Sequence, residues 1–416
     1  MKTKFYIALI LMQLIIFTRS AFANYQPPWG FFAHKLINRL AVFTLPQEMA
    51  GFYKENISYI TEHSVDPDKR RYSSKNEAPR HYIDLDVYGS APFDALPRNW
   101  LDALLSYTDI YTVGMNGDTS LYVDHNLFKL QKNEAVFYLG DRSNQKTDTL
   151  IISKKIYADF YLKNILPKHY EDDQKISVDS LKIIFPTVGR IKSAFAKERL
   201  SENGILPYHL QQMENRLTNA FKIRDKKKVL QLSSEIGHYI GDAHVPLHTS
   251  QNYNGQLSGQ HGIHGFWESR LPELLSSEYD FWVGAAEYLS DSESTYWQIV
   301  TDSHALVDTL LYLEKNLRIS FPTDHISCLE ERMGATVMTT CEEFARAYHE
   351  SLDGQVESRM RAAILCTGSV WMTAWVKAGQ PDLDFSEKDD KATEKQEAEI
   401  LPETVHNQQM LGRPEE

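Results

Sequence analysis

Apolar residues recur every three to four positions along most of the second half of the chain, the period of a helix that buries one face. LPYHLQQMENRLTNAFKIR (206–224), KKKVLQLSSEIGHYIGDAH (226–244), SHALVDTLLYLEKNL (303–317) and the long stretch from Thr339 to Gly379 all carry it. FFAHKLINRLAVFTL (31–45) has the same period and stops at Pro46, and 47–62 predicts a second helix. HSVDPDKRRYSSKNEAPRHYIDLD (63–86) reads as loop, and NYNGQLSGQHG (252–262) as a glycine-rich loop. Within 89–180, DTSLYVDHNL and TDTLIIS read equally as short strands or helix fragments, so this segment is expected to hold at most a small β insertion. The pattern predicts an all-α architecture, one multi-helix domain over 24–383, and a charged, disordered tail over 384–416.

The first residues have a different pattern. Lys2 and Lys4 precede the apolar run IALILMQLIIF (7–17), and Ala21, Phe22 and Ala23 form an A-x-A site. This predicts a signal peptide over 1–23 and export, to a periplasm or outside the cell. The run is short for a membrane span, and no later segment has eighteen uninterrupted apolar residues. No stable membrane insertion after cleavage is expected. An exported chain can bridge two of its three cysteines, and Cys328 and Cys341 are the pair closest in sequence, with Cys366 left over.

At 42% hydrophobic residues, 416 residues can build a sizeable core, which excludes global disorder. The formal charge of −12 becomes −15 when Lys2, Lys4 and Arg19 leave with the signal. An acidic surface does not attract nucleic acid or anionic lipid at long range, although a cluster of bound cations overrides that field locally. The basic run at Arg224 and Lys226–Lys228 reads as a solvated helix end, and Trp371 and Trp375, one turn apart, read as core.

HYIGDAHVPLH (238–248) puts His238, Asp242, His244 and His248 into eleven residues. His238 and Asp242 share one helix face, and Pro246 then ends the helix so that His248 follows in a turn. His264 and Glu268 repeat the one-turn spacing near the start of the next helix. A lone pair of this kind is usually a surface hydrogen bond. Two pairs bracketing PLH and a glycine-rich loop point instead to a metal site, because His and carboxylate one turn apart can hold Zn²⁺. The pattern is not HExxH, since Tyr239 follows His238. His244 lies about 200° around the helix from Asp242 and reads as hydrogen-bonding support. His261 competes with His264, which is preferred for its spacing to Glu268. The other histidines outside these motifs read as ordinary surface or core residues.

The series His238-x3-Asp242-x5-His248 followed by His264-x3-Glu268 resembles the core motif of the zinc-dependent phospholipase C superfamily, which includes the fungal single-strand-specific zinc nucleases. Asp66 and His81 have the spacing of the two upstream ligands, HYID resembles the nuclease HFID, and WGFFAH offers Trp29 and His34. The resemblance spans about 29–268 and implies an all-helical fold with up to three zinc ions. Asp66, His81, His238 and Asp242 would hold the first, and His248, His264 and Glu268 the second. His34 and Asp242 would hold the third, completed in the family by the free amino group and carbonyl of an N-terminal Trp. Here cleavage after Ala23 leaves five residues before Trp29, whose acylated nitrogen is a poor ligand, so two or three ions are expected.

The function implied is an exported zinc-dependent hydrolase of phosphoric ester bonds, in which bound ions lower the pKa of a coordinated water to about 7 and the resulting hydroxide attacks phosphorus. Asp66 would ligate and accept the water's proton. Lys69 and Arg70 are candidates for phosphate contact. HYID favours a nucleic acid substrate, with Tyr82 stacking on a base and Asp84 accepting from its edge. Glu268 in place of Asp favours a phospholipid head group. The alternative is a catalytically inactive zinc-binding protein of the same fold. No protein partner is predicted.

Overall fold

The computed structural model describes residues 31–139, 148–169, 174–332 and 335–385. The segment expected to be a signal peptide, Trp29 and the residues from 386 onward lie outside the described residues. At the centre is the helix Lys226–His244. Asp225 caps it, its carboxylate accepting from the Lys228 amide at 3.0 Å, and Pro246 ends it. From Ser233 to His244 every residue is buried, because the helices Phe31–Ala41, Leu206–Lys222, Ser292–His304 and Gln355–Lys377 pack around it. An all-round buried helix needs internal partners for its polar residues. Ser233 has them: its hydroxyl bonds Tyr53 at 2.8 Å, and its carbonyl accepts from the Trp371 indole. Trp371 and Trp375 are core residues, and the Trp371 ring stacks on Tyr53.

The all-α expectation is corrected by nine strands in three sheets among the described residues. The described residues are 58% helix and 14% strand, a mixed α/β architecture. β1 (Thr108–Gly114), β2 (Thr119–Val123), β6 (Gln174–Ile176) and β7 (Ile191–Glu198) form an antiparallel sheet in the order β2-β1-β7-β6. β3 (Phe128–Leu130), β4 (Glu134–Leu139) and β5 (Asp148–Ser153) form a second, in chain order. Between them lies an aromatic core in which Phe137 meets Tyr157 and Phe185 edge-on at 5.0 Å. β-branched and aromatic alternation, as in TDIYTVG, is the physical reason these segments pair as strands. The insertion also runs past 180, to the end of β7 at Glu198. A third sheet is the hairpin β8 (Ser327–Arg332) and β9 (Ala335–Thr340), joined at its base by the Cys328–Cys341 disulfide and anchored where the Arg270 guanidinium donates to the Thr340 carbonyl. Among the described residues no helix is long and apolar enough to cross a membrane.

Two glycines let the first helix approach the central one. A Cβ on Gly237 would lie 2.2 Å from Asn38 Oδ1, and one on Gly241 2.7 Å from His34 Nδ1. Ala would gain about 1 kcal/mol of helix propensity at either position, but overpacking a tight interface costs about 1–3 kcal/mol. Gly237→Ala is therefore expected to destabilise in denaturant titration. Gly51→Ala, in the helix Gln47–Glu55 with nothing within 4 Å of the added Cβ, should stabilise by about 0.5–1 kcal/mol.

Candidate metal centre

Eight side chains converge beside the C-terminal half of the central helix: His34, Asp68, His81, His238, Asp242, His248, His264 and Glu268. The first helix supplies His34, and the short helix Asp66–Arg70 supplies Asp68. His81 follows the turn Ala78–Arg80, and His248 sits in the turn Pro246–Thr249. His264 and Glu268 lie on a helix whose segment Phe266–Arg270 is a π-helical turn, a local widening that often marks functional sites.

Asp242 stands at the middle. Its Oδ2 is 3.0 Å from His81 Nδ1 and 3.4 Å from His238 Nε2, while Oδ1 is 3.4 Å from His34 Nε2 and 3.9 Å from His248 Nε2. Asp68 Oδ1 is 3.4 Å from His238 Nε2. Glu268 presents Oε1 to His34 Nε2 at 3.0 Å, and Oε2 to His264 and His248 at 2.9 and 3.3 Å. Two ligands on one tetrahedral zinc stand about 3.4 Å apart, given bonds of about 2.0–2.2 Å. The observed separations are close to that value.

The charges also suit a cation. Burial, then the positive charge of Arg71, holds the His81 imidazole well below its ordinary pKa. Burial, then His34, lowers His238. Both are therefore neutral and have a lone pair to give. Burial opposes ionisation of Glu268 and Asp68, but their histidine neighbours outweigh it. Glu268 is held well below its usual range, and Asp68 at about 2. Two buried carboxylates, Asp242 and Glu268, with Asp68 at their edge, are costly without positive charge nearby. Arg71, itself fully buried with Nη1 4.0 Å from Asp68 Oδ1, supplies part of it. His248 Nδ1 donates to the His81 carbonyl at 2.7 Å, so its Nε2 keeps the lone pair that faces the cluster. The donor set fits divalent ions, and nitrogen with oxygen ligands suits zinc among several first-row metals.

Of the side chains expected from sequence, His34, His81, His238, Asp242, His248, His264 and Glu268 are brought together. Asp66 is not among them: its carboxylate accepts from His63 at 2.6 Å and Lys69 at 2.7 Å. Asp68 takes its place, since residues two apart on a helix face nearly opposite ways and only one can meet the central helix. Lys69 is engaged with Asp66, and Arg70 with Glu77 and Glu235, so neither points into the cluster. Tyr82 and Asp84 are 6% and 7% exposed and present no open face for stacking on a base. His261 is exposed, whereas His264 is buried with its Nε2 2.9 Å from Glu268. Sequence reasoning missed Asp68 and Arg71, although DPDKRR contains both within five residues of Asp66.

Asp109, Asp124 and His125 form a further group among the β strands. There the Asp109 carboxylate already accepts from the His125 amide and ring, from Arg199 and from Tyr111. This is a pin between strands and not an open ligand set. Comparison of the chain with protein-family models, with curated proteins and with solved structures finds no match.

His244 is outside the cluster. Its Nδ1 bonds the Ile240 carbonyl at 2.7 Å, and burial, then Arg359, pushes its pKa down to about 3. The unfolded chain protonates this ring near pH 6.5, whereas the folded one resists down to about 3, so His244 costs stability as pH falls through that window. His244→Ala should leave metal content intact and flatten the loss of unfolding free energy between about pH 6 and pH 4, by up to about 1.4 kcal/mol per pH unit. Metal analysis and denaturant titrations at several pH values read both.

Proposed function

We propose that this protein is a metal-dependent hydrolase of phosphoric esters, with two or three zinc ions held by the eight converging side chains. One observation carries the reading: Asp242 presents its two oxygens to opposite histidine sets in a dry interior, with two further carboxylates within the same cluster. The resemblance of the His238–Glu268 series to the zinc-dependent phospholipase C superfamily supports it.

Zinc bound there supplies Lewis acidity toward a phosphoryl oxygen and brings the pKa of a bound water to about 7. The chain's own residues set the conditions. Asp242 would be shared between neighbouring sites, with Oδ1 toward His34 and Oδ2 toward His81. Asp68, rather than Asp66, is the carboxylate placed to hold a water and accept its proton. Its side chain is 16% exposed and that of Glu268 10%, so the edge of the cluster that they form is where a substrate would enter. Arg71 adds a fixed positive charge that favours an anionic ester at that edge.

The test is hydrolysis by the zinc-loaded protein of single-stranded DNA or RNA in one arm and phosphatidylcholine vesicles in the other, each repeated with a chelator. Chelator-sensitive turnover in either arm supports the reading and names the substrate. Zinc bound with no turnover on either substrate or on simple phosphodiesters would replace it with an inactive zinc-binding protein. Asp242→Asn should remove at least one ion and slow turnover by about two orders of magnitude or more, since a bound metal contributes several kcal/mol to such a transition state. Asp68→Ala should lose an ion, whereas Asp66→Ala should keep the full complement by elemental analysis. The reverse result would restore Asp66 as the ligand.

A further inference from the structure

His81 turns one nitrogen toward the cluster and the other away from it. Nδ1 faces Asp242 and His238 at 3.0 and 3.1 Å. Nε2 is buried and has no hydrogen-bond partner among the described residues; the nearest carboxylate oxygen is Glu77 Oε1 at 3.8 Å. Glu77 is only 2% exposed. Its Oε2 accepts from Arg80 Nη1 at 2.6 Å and Arg70 Nε at 3.3 Å, and its Oε1 from Tyr239 Oη and Arg70 Nη2. Arg70 is in turn held by Glu235 at 2.8 Å. A carboxylate is thus fixed in place from three sides, aimed at the back of an imidazole whose front faces the ligand cluster.

We propose that Glu77 is a positioning residue for the metal centre: it holds the His81 proton on Nε2 and so keeps the Nδ1 lone pair directed at an ion. This rests on the reading of the cluster as a metal site. The physical reason is that a neutral imidazole has one donor and one acceptor nitrogen, and a bond to either decides which is which. When Nδ1 ligates, Nε2 must carry the proton, and a buried N–H without an acceptor is costly. A small rotation of the ring shortens 3.8 Å to a charge-assisted hydrogen bond and raises the basicity of the ligating nitrogen. Arg70, a candidate for phosphate contact from sequence, instead helps to hold this carboxylate still.

The experiment compares zinc affinity, by competition with a chromophoric chelator, in wild type, Glu77→Gln and Glu235→Gln, with the stability of each metal-free protein measured in parallel. Glu235→Gln weakens the same buried network without touching His81, so it reports the purely structural effect. Glu77→Gln should lower zinc affinity by about tenfold or more, as removal of such outer carboxylates does, while Glu235→Gln leaves affinity within about twofold. Nitrogen-15 NMR of zinc-loaded wild type should show the His81 proton on Nε2, and that signal should broaden or shift in Glu77→Gln. Equal affinity in wild type and Glu77→Gln, or a His81 proton on Nδ1, overturns the proposal while leaving the metal site intact. No zinc bound by wild type overturns both.

Discussion

Three carboxylates packed against five histidines are the constraint around which this structure is arranged. Asp242 is buried among imidazoles, and Asp68 and Glu268 are held ionised at the edge of the cluster, where each ionised group forfeits part of its hydration. A core could accommodate the same volume with apolar residues at lower cost. The chain instead surrounds Asp242 with four histidines, two of which are kept neutral by burial and neighbouring charge. Neutral imidazole beside ionised carboxylate is the protonation pattern that metal ligation requires.

The packing that achieves this is specific to the central helix. A helix buried on every side ordinarily carries apolar residues throughout, yet this one buries Ser233, Ser234, Glu235, His238, Asp242 and His244. Gly237 and Gly241 open the face on which Asn38 and His34 lie, so that the His34 ring reaches both Asp242 and Glu268. The polar residues on the other side of the helix are paired into networks. Glu235 holds Arg70, and the Tyr239 hydroxyl meets Glu77.

Legibility in the sequence followed the range over which each feature is encoded. His238, Asp242, His264 and Glu268 were readable because one helical turn fixes their relation locally, and Pro246 marks where the helix must end before His248. The choice between Asp66 and Asp68 was not readable from spacing. It depends on which side of a five-residue helix meets the central helix, and that is set by tertiary contact. The β insertion was hidden for a different reason: strands as short as FKL and QKI carry too few residues to show a two-residue period, and their pairing is long-range, β1 with β7 being joined across more than seventy residues. The hairpin at 327–340 has longer strands and pairs locally, with its cysteines at its base.

The insertion also bears on the candidate metal centre through the segment that carries His81. The amide of Ile83 donates to the carbonyl of His248, so two segments that contribute to the cluster are joined directly. One residue on, Asp84 donates to Asn203, and Leu206 donates back to the Tyr82 carbonyl, which tie the segment to the junction where β7 ends and the helix Leu206–Lys222 begins. Gly204 permits that approach: its φ of +84° is unfavourable for other residues, and a Cβ there would lie 2.1 Å from the Tyr82 carbonyl oxygen. Tyr82 and Asp84 are accordingly buried as part of this clamp, which explains why residues that read from sequence as substrate contacts are closed to solvent. The His81 segment is thus held on one side by the His248 turn and on the other by the end of the insertion. The position of His81 relative to Asp242 therefore depends on the sheet region as well as on the helices, and a change that loosens β7 at Glu198 would reach the cluster through Asn203 and Asp84.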